Sequence, residues 1–187
     1  MDGTRGRSGW LAAAGVLVVA FAVYIPTFGA GFLAYDDYET VVDAPRRSFS
    51  EIWTGVTFKT WLPVTFSSLR IDMALFGTEN AAGYRIVNAL LHGLNALIVL
   101  LLARRLLGSG LFAFGAALLF ALHPAATESV AWVSERKGLL AFLLDLPDRA
   151  FHRAARPRPA VEGERAGRAA AHRGAPRREG RSGPAIS

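Results

Sequence analysis

The stretch Ile86–Ala103, IVNALLHGLNALIVLLLA, runs without a charge between Arg85 and Arg104. A helix needs about 20 predominantly apolar residues to cross a bilayer, so the stretch reads as a membrane span. Asn88, His92 and Asn95 interrupt it at i, i+4 and i+7, on one helical face, with Tyr84 a turn earlier. Polar groups in hydrocarbon need partners, so this face should turn toward other helices. It serves there either as interhelical hydrogen bonding or as a contact to substrate or lipid.

Two more uncharged runs flank this one. Toward the N-terminus, Ser8 to Tyr35 carries no charge and follows Arg5 and Arg7, giving a first span over about 9–28. A secretory signal peptide would have an apolar core of about 7–15 residues ending at a small-x-small site. Here the apolar run continues through Tyr24 and Phe28, so an uncleaved anchor is expected. Beyond the short connection ARRLLGSG, the run from Leu106 to Glu128 predicts a third span over about 107–124, folded back as an antiparallel hairpin. Arg5, Arg7, Arg104 and Arg105 then share the cytoplasmic side by the positive-inside rule, and the loop 32–84 faces outward.

The bulk numbers agree with an all-α membrane protein. Of 187 residues, 52% are hydrophobic, too many for an ordinary soluble domain. The net charge of +6 does not imply a nucleic-acid partner, because 10 basic residues against 5 acidic ones fall after Leu144 while the preceding part is nearly balanced. Cysteine is absent, which excludes disulfides and cysteine-based zinc sites.

Within the exterior loop, Phe66, Leu69, Met73 and Phe76 recur at helical spacing after Pro63, which suits a first helical turn. This predicts an amphipathic helix, lying on the membrane surface or packed on its own loop, with Trp53 and Trp61 as interfacial anchors. A fourth apolar segment opens at Gly138 and is interrupted by Asp145, Pro147, Asp148 and Arg149. From Asp145 to Ser187 the composition turns to Arg, Ala, Gly and Pro, predicting a disordered basic tail. So abrupt a change is expected from a shifted reading frame, and a tail that binds anionic lipid headgroups is the alternative.

The candidate chemistry lies at the outer ends of the spans. Asp36 and Asp37, in GFLAYDDYETVVD (31–43), are adjacent carboxylates directly after the first span. Such a pair can cap a helix, hold a divalent cation together with Glu39 and Asp43, or supply a general base. The third span exits in HPAATESVAWVSERKG, where His123, Glu128, Arg136 and Lys137 are either juxtamembrane residues or, through the cations, a cradle for a phosphate-bearing donor. No Walker loop, HExxH or nucleophile elbow occurs, so ATPase, zinc-protease and hydrolase readings lose support.

Taken together, FLAYDDYETVV, WLPVTFSSLRIDMALFG, GYRIVNALLHGLNALIVLLL and LLFALHPAATESVAWVSERKGLLA, in this order, resemble a bacterial membrane protein family with C-terminal tetratricopeptide repeats. That family is itself similar to protein O-mannosyltransferases of the GT-C glycosyltransferase class. The resemblance covers about 9–141. It implies the N-terminal part of a GT-C-type multi-span helical bundle, 1–144, in a bacterial inner membrane with its active face outside. It further implies transfer of a sugar, mannose being expected, from a polyprenyl-phosphate donor to a hydroxyl of an acceptor protein or glycan. The catalytic base would be Asp36 or Asp37, Asp36 first, with Asp37 then a metal or acceptor contact. The pair together would be the candidate ligands of a divalent cation, and His123, Glu128, Arg136 and Lys137 would line the donor site. A full member has more spans and a later exterior domain, so this chain is expected to be inactive when isolated. A small membrane-anchored interaction protein with a lipid- or partner-binding tail is the competing expectation.

Overall fold

The computed structural model describes residues 3–33, 37–43, 46–56 and 59–155. Contacts divide the chain into a unit spanning 1–151 and a second spanning 152–187, of which only the helical residues 152–155 are described.

Every longer regular element among the described residues is helical: α1 (Gly3–Ala22), α2 (Phe49–Thr54), α3 (Pro63–Phe76), α4 (Ala81–Leu107), α5 (Gly110–Leu122), α6 (Ala126–Ala131) and α7 (Arg136–Ala155). Short 3-10 turns at Ile25–Thr27 and Val133–Glu135 and a π turn at Glu39–Asp43 fill the connections. Among the described residues two segments are long and apolar enough to cross a membrane, Gly9–Thr27 and Ala81–Leu107. The chain is an all-α membrane protein.

α4 is the axis of the bundle. At 1.5 Å per residue its 27 residues extend about 40 Å, and the uncharged part about 27 Å, close to the hydrocarbon thickness. It ends at Gly108, whose φ of 65° is the left-handed conformation that closes a helix, and α5 returns antiparallel. Ala113, Ala117 and Ala121 present one row of methyls from α5 to Ala96, Leu100 and Ala103 of α4 and to Val16 and Ala20 of α1. Small residues let helix backbones approach closely, which is how helices associate where lipid offers no hydrophobic drive.

α5 departs from the expected third span over 107–124. It has 13 residues, about 20 Å, and is too short to cross alone. Pro124 explains the stop: the residue before a proline is pushed out of helical geometry, and His123 is extended with ψ at 129°. The chain then climbs beside the upper part of α4 through α6 and the 3-10 turn.

α3 forms where the spacing after Pro63 placed it. Its expected face turns inward: Phe66 and Leu69 are buried with Tyr84, Val41, Ile52 and Val133. Val64, Ile71 and Leu75 on its other side are exposed, as are Trp53 and Trp61. α2 begins with a capping box, in which Ser48 Oγ accepts from Glu51 N and Glu51 Oε2 accepts from Ser48 N.

The expectation of disorder from Asp145 needs correction for its first residues. α7 continues through Pro147 to Ala155. A proline removes one backbone hydrogen bond. The Arg149–Asp145 pair at i, i+4 spans that position at 2.5 Å, and arginine and alanine are good helix formers. Residues 156–187, the rest of the expected tail, lie outside the described residues.

Candidate functional site

One end of the bundle carries a layer of buried polar groups. The opposite end holds the start of α1 and the end of α4, where Arg104 lies against Gly9. Arg5, Arg7, Arg104 and Arg105 therefore share one end, and the loops following α1 and α5 share the other.

Those two loops meet through Asp37. Its carboxylate is fully buried, with Oδ2 accepting from Leu33 N at 2.9 Å. Its Oδ1 accepts from both Ser134 N at 3.0 Å and Ser134 Oγ at 2.7 Å. Beside it Arg85, also buried, donates Nε to Ala131 O at 2.8 Å, Nη2 to Gly31 O at 2.5 Å and Nη1 to Ala30 O. The guanidinium is thus a clamp that binds the end of the first span to the loop after α6. A planar fork with five donors suits this bridging.

Arg136 does the same one layer away. It donates Nε to Asn88 Oδ1 at 2.7 Å, Nη2 to Tyr84 O at 3.0 Å and Nη1 to Ser68 Oγ at 3.4 Å. Its Nη2 also stands 2.5 Å from Asp72 Oδ2, an ion-pair contact that is not aligned as a hydrogen bond. Burial pushes the Asp72 carboxyl above its usual range, and the Arg136 charge opposes this. Burial likewise lowers Arg136, against the pull of Asp72. Both shifts have one cause, the loss of water around a charge.

The polar face of α4 acts as interhelical hydrogen bonding. Asn88 Nδ2 donates to Val130 O at 3.2 Å, His92 Nε2 to Ala121 O at 3.1 Å and Asn95 Nδ2 to Leu139 O at 3.0 Å. Three side chains therefore bind α6, α5 and α7 through backbone carbonyls that would otherwise need partners in an apolar surrounding.

The residues expected to form the site fall into three groups. Asp37 and Arg136 are inside the protein, committed to the contacts above. His123, Glu128 and Lys137 are at its surface, His123 accepting from Ala125 N at Nδ1 and Lys137 pairing with Glu135 at 2.5 Å. Asp36 lies outside the described residues. Asp37's oxygens already accept three hydrogen bonds, and among the described residues no group of three His, Asp or Glu side chains could hold a metal ion; Asp36, expected beside Asp37 at a cation, is not among them.

Sequence reasoning missed Arg85, Asp72 and Ser134. Two of them had a signal. Arg85 extends the polar stripe of Asn88, His92 and Asn95 by one turn, and Asp72 falls between Leu69 and Phe76 on the apolar face of α3. A charge on such a face calls for a partner.

Over 137 residues the chain is 35% identical to Protein O-mannosyl-transferase Tmtc2 of Drosophila melanogaster, which covers 66% of this chain and 14% of that protein. It is 31% identical over 153 residues to Protein O-mannosyl-transferase Tmtc1 of the same organism, covering 74% of this chain and 18% of the relative. For Protein O-mannosyl-transferase TMTC2 of Homo sapiens the identity is 30% over 145 residues, covering 68% and 17%. The chain therefore spans less than a fifth of the length of these curated relatives. No family model and no solved structure matches it.

Proposed function

We propose, on the premise that this chain is a homologue of the protein O-mannosyl-transferases, that it supplies the first exterior face of a GT-C-type glycosyltransferase acting on a lipid-linked sugar. The donor is a polyprenyl-phosphate sugar, mannose being the sugar, and the acceptor is a hydroxyl of a protein or glycan. The membrane is a bacterial inner membrane, and the face lies outside the cytoplasm, since Arg5, Arg7, Arg104 and Arg105 mark the inner end.

The observation that carries this reading is the contact between Asp37 and Ser134. It supports a common face for the loop after the first span and the HP–ERK loop, where an acid and the cations must meet one substrate. Asp36 is the general base that takes the acceptor hydroxyl's proton. Its neighbour Asp37 is a positioning residue whose buried carboxylate anchors the loop. Lys137, with His123 and Glu128, faces the donor's phosphate, which gains charge as the sugar leaves. Arg136 acts at one remove, by holding the strand of chain that carries Lys137. No step is routed through a metal ion.

Incorporated into nanodiscs with polyprenyl-phosphate mannose, the chain is expected to bind the donor saturably without transferring it. Lys137→Ala should weaken binding, while Asp36→Asn should leave it unchanged. Clear turnover by the chain alone would refute the expected inactivity. Failure of the folded chain to bind the donor would refute the transferase reading.

A further inference from the structure

α3 is apolar on two sides. Phe66 and Leu69 are buried around Tyr84, while Val64, Ile71 and Leu75, at i, i+7 and i+11, form a row that is exposed. Beside this row stand two exposed tryptophans whose ring N–H groups are already tied to the protein. Trp53 Nε1 donates to Ser67 Oγ at 3.1 Å, and Trp61 Nε1 donates to Trp53 O at 3.2 Å. The rings therefore need no polar partner, and a contiguous apolar surface of this kind marks a contact.

α3 lies across the outer end of α4. The Phe76 ring packs where a Cβ on Gly83 would sit, and Tyr84 Oη donates to Gly77 O at 2.8 Å. Ser68 and Asp72 both reach Arg136, which donates to Tyr84 O. Phe66 to Phe76, about 15 Å of helix, thus gathers around one level of α4. That level is the edge of the membrane, because the charge-free part of α4 begins at Ile86. The exposed row is continuous with the bilayer that α4 crosses, at the depth where headgroups meet acyl chains.

Cations surround the row. Arg70 lies over the Phe49 ring at 5.1 Å and donates to Arg47 O, and Arg47 donates to Val56 O, which gathers both onto this side of α2 and α3. Arg46 and Lys59 are exposed, one next to Arg47 and the other two residues before Trp61. Of the acids between 46 and 76, Asp72 is buried against Arg136, and Glu51 accepts from Ser48 N and Oγ in the cap of α2. The excess of positive charge complements an anionic surface, and apolar, tryptophan and basic side chains together are what seats a helix in such an interface.

We infer that the outward side of α2 and α3 is a docking surface for anionic phospholipid. Val64, Ile71 and Leu75 rest against acyl chains, Trp53 and Trp61 stand at the boundary, and Arg46, Arg47, Lys59 and Arg70 meet the phosphates. The surface stands apart from the sugar donor's site and needs no donor to form.

The test uses the whole chain in nanodiscs of mixed phosphatidylcholine and phosphatidylglycerol. Nitroxide labels on Val64→Cys, Ile71→Cys and Leu75→Cys, all exposed positions, should be relaxed more by oxygen than by a water-soluble nickel chelate, and all to a similar depth. With Trp10→Phe and Trp132→Phe, the remaining Trp53 and Trp61 should be quenched by brominated phosphatidylglycerol in preference to brominated phosphatidylcholine. The preference should be about fivefold, the factor for one basic residue at an anionic surface. Arg46→Gln combined with Lys59→Gln should bring it close to one. Labels reached mainly by the nickel chelate would show the row to face water or a protein partner and would overturn the proposal. Equal quenching by the two lipids, or a preference unchanged in the double variant, would overturn it as well.

Discussion

Ser134 donates two hydrogen bonds, from its amide and its hydroxyl, to one carboxylate oxygen of Asp37, a residue 97 positions earlier in the chain. A single contact thus closes the loop of the first span onto the loop that follows α6. Ser134→Ala keeps the amide bond and loses the hydroxyl one, a hydrogen bond to a charged acceptor worth about 1.5–3 kcal/mol. Asp37→Ala leaves Leu33 N and both Ser134 donors without their acceptor and should cost more, about 3–5 kcal/mol by analogy with breaking a buried ion pair. Denaturant unfolding in detergent measures both, and an Asp37→Ala variant as stable as wild type would show the contact to be incidental.

Asp72 and Arg136 should behave as a coupled pair. Removal of Asp72 leaves a buried guanidinium charge without its counter-ion, a loss of about 3–5 kcal/mol. Arg136→Met additionally deprives Asn88 Oδ1 and Tyr84 O of donors. The double variant Asp72→Leu with Arg136→Met should therefore be less destabilised than the sum of the two, by about 0.5–3 kcal/mol in a double-mutant cycle. Strict additivity would contradict the pairing.

The same carboxyl gives stability a pH dependence of known sign. Burial raises Asp72 in the folded state above the ordinary carboxylate value of about 3.9. Between those two values the folded chain holds a proton that the unfolded chain has released, so Asp72's contribution to stability falls as pH rises through the interval. Asp72→Asn has no such proton. The melting temperature of wild type minus that of Asp72→Asn should therefore decline with rising pH over this window, and a flat difference would contradict the burial of an ionisable group.

Lys137 separates stability from binding. Its pair with Glu135 is partly exposed, and such pairs are worth about 0–1 kcal/mol. Lys137→Ala should leave the melting temperature nearly unchanged while weakening polyprenyl-phosphate mannose binding. Equal donor affinity in wild type and variant would remove Lys137 from the donor site.

What could be read ahead of the structure follows from the range of the forces involved. The apolar runs located α1 and α4, and ARRLLGSG located the hairpin, because span length and a glycine cap are local properties. The His123–Pro124 step likewise held the early end of α5, a local signal that the hydropathy of the run obscured. Beyond Asp145 the lack of an apolar period points to disorder, yet arginine and alanine favour a helix locally, and α7 runs through Pro147 to Ala155. The fate of the charges was less legible. Arg136 and Lys137 are neighbours in a run of cations, yet one is buried and the other half-exposed, and the difference is made by Asp72, Asn88 and Ser68 on other helices. Asp37 is decided in the same way by Ser134.

The central claim is that the loop bearing Asp36 and Asp37 and the loop bearing Ser134 to Lys137 lie together outside the cell. The chain has no cysteine, so single cysteines placed at the exposed positions Glu39, Glu128 and Arg105 can be read one at a time with a membrane-impermeant maleimide on intact cells. Cysteine at 39 and at 128 should label from outside, and cysteine at 105 only after permeabilisation. Labelling of 39 and 128 from opposite sides would contradict the account.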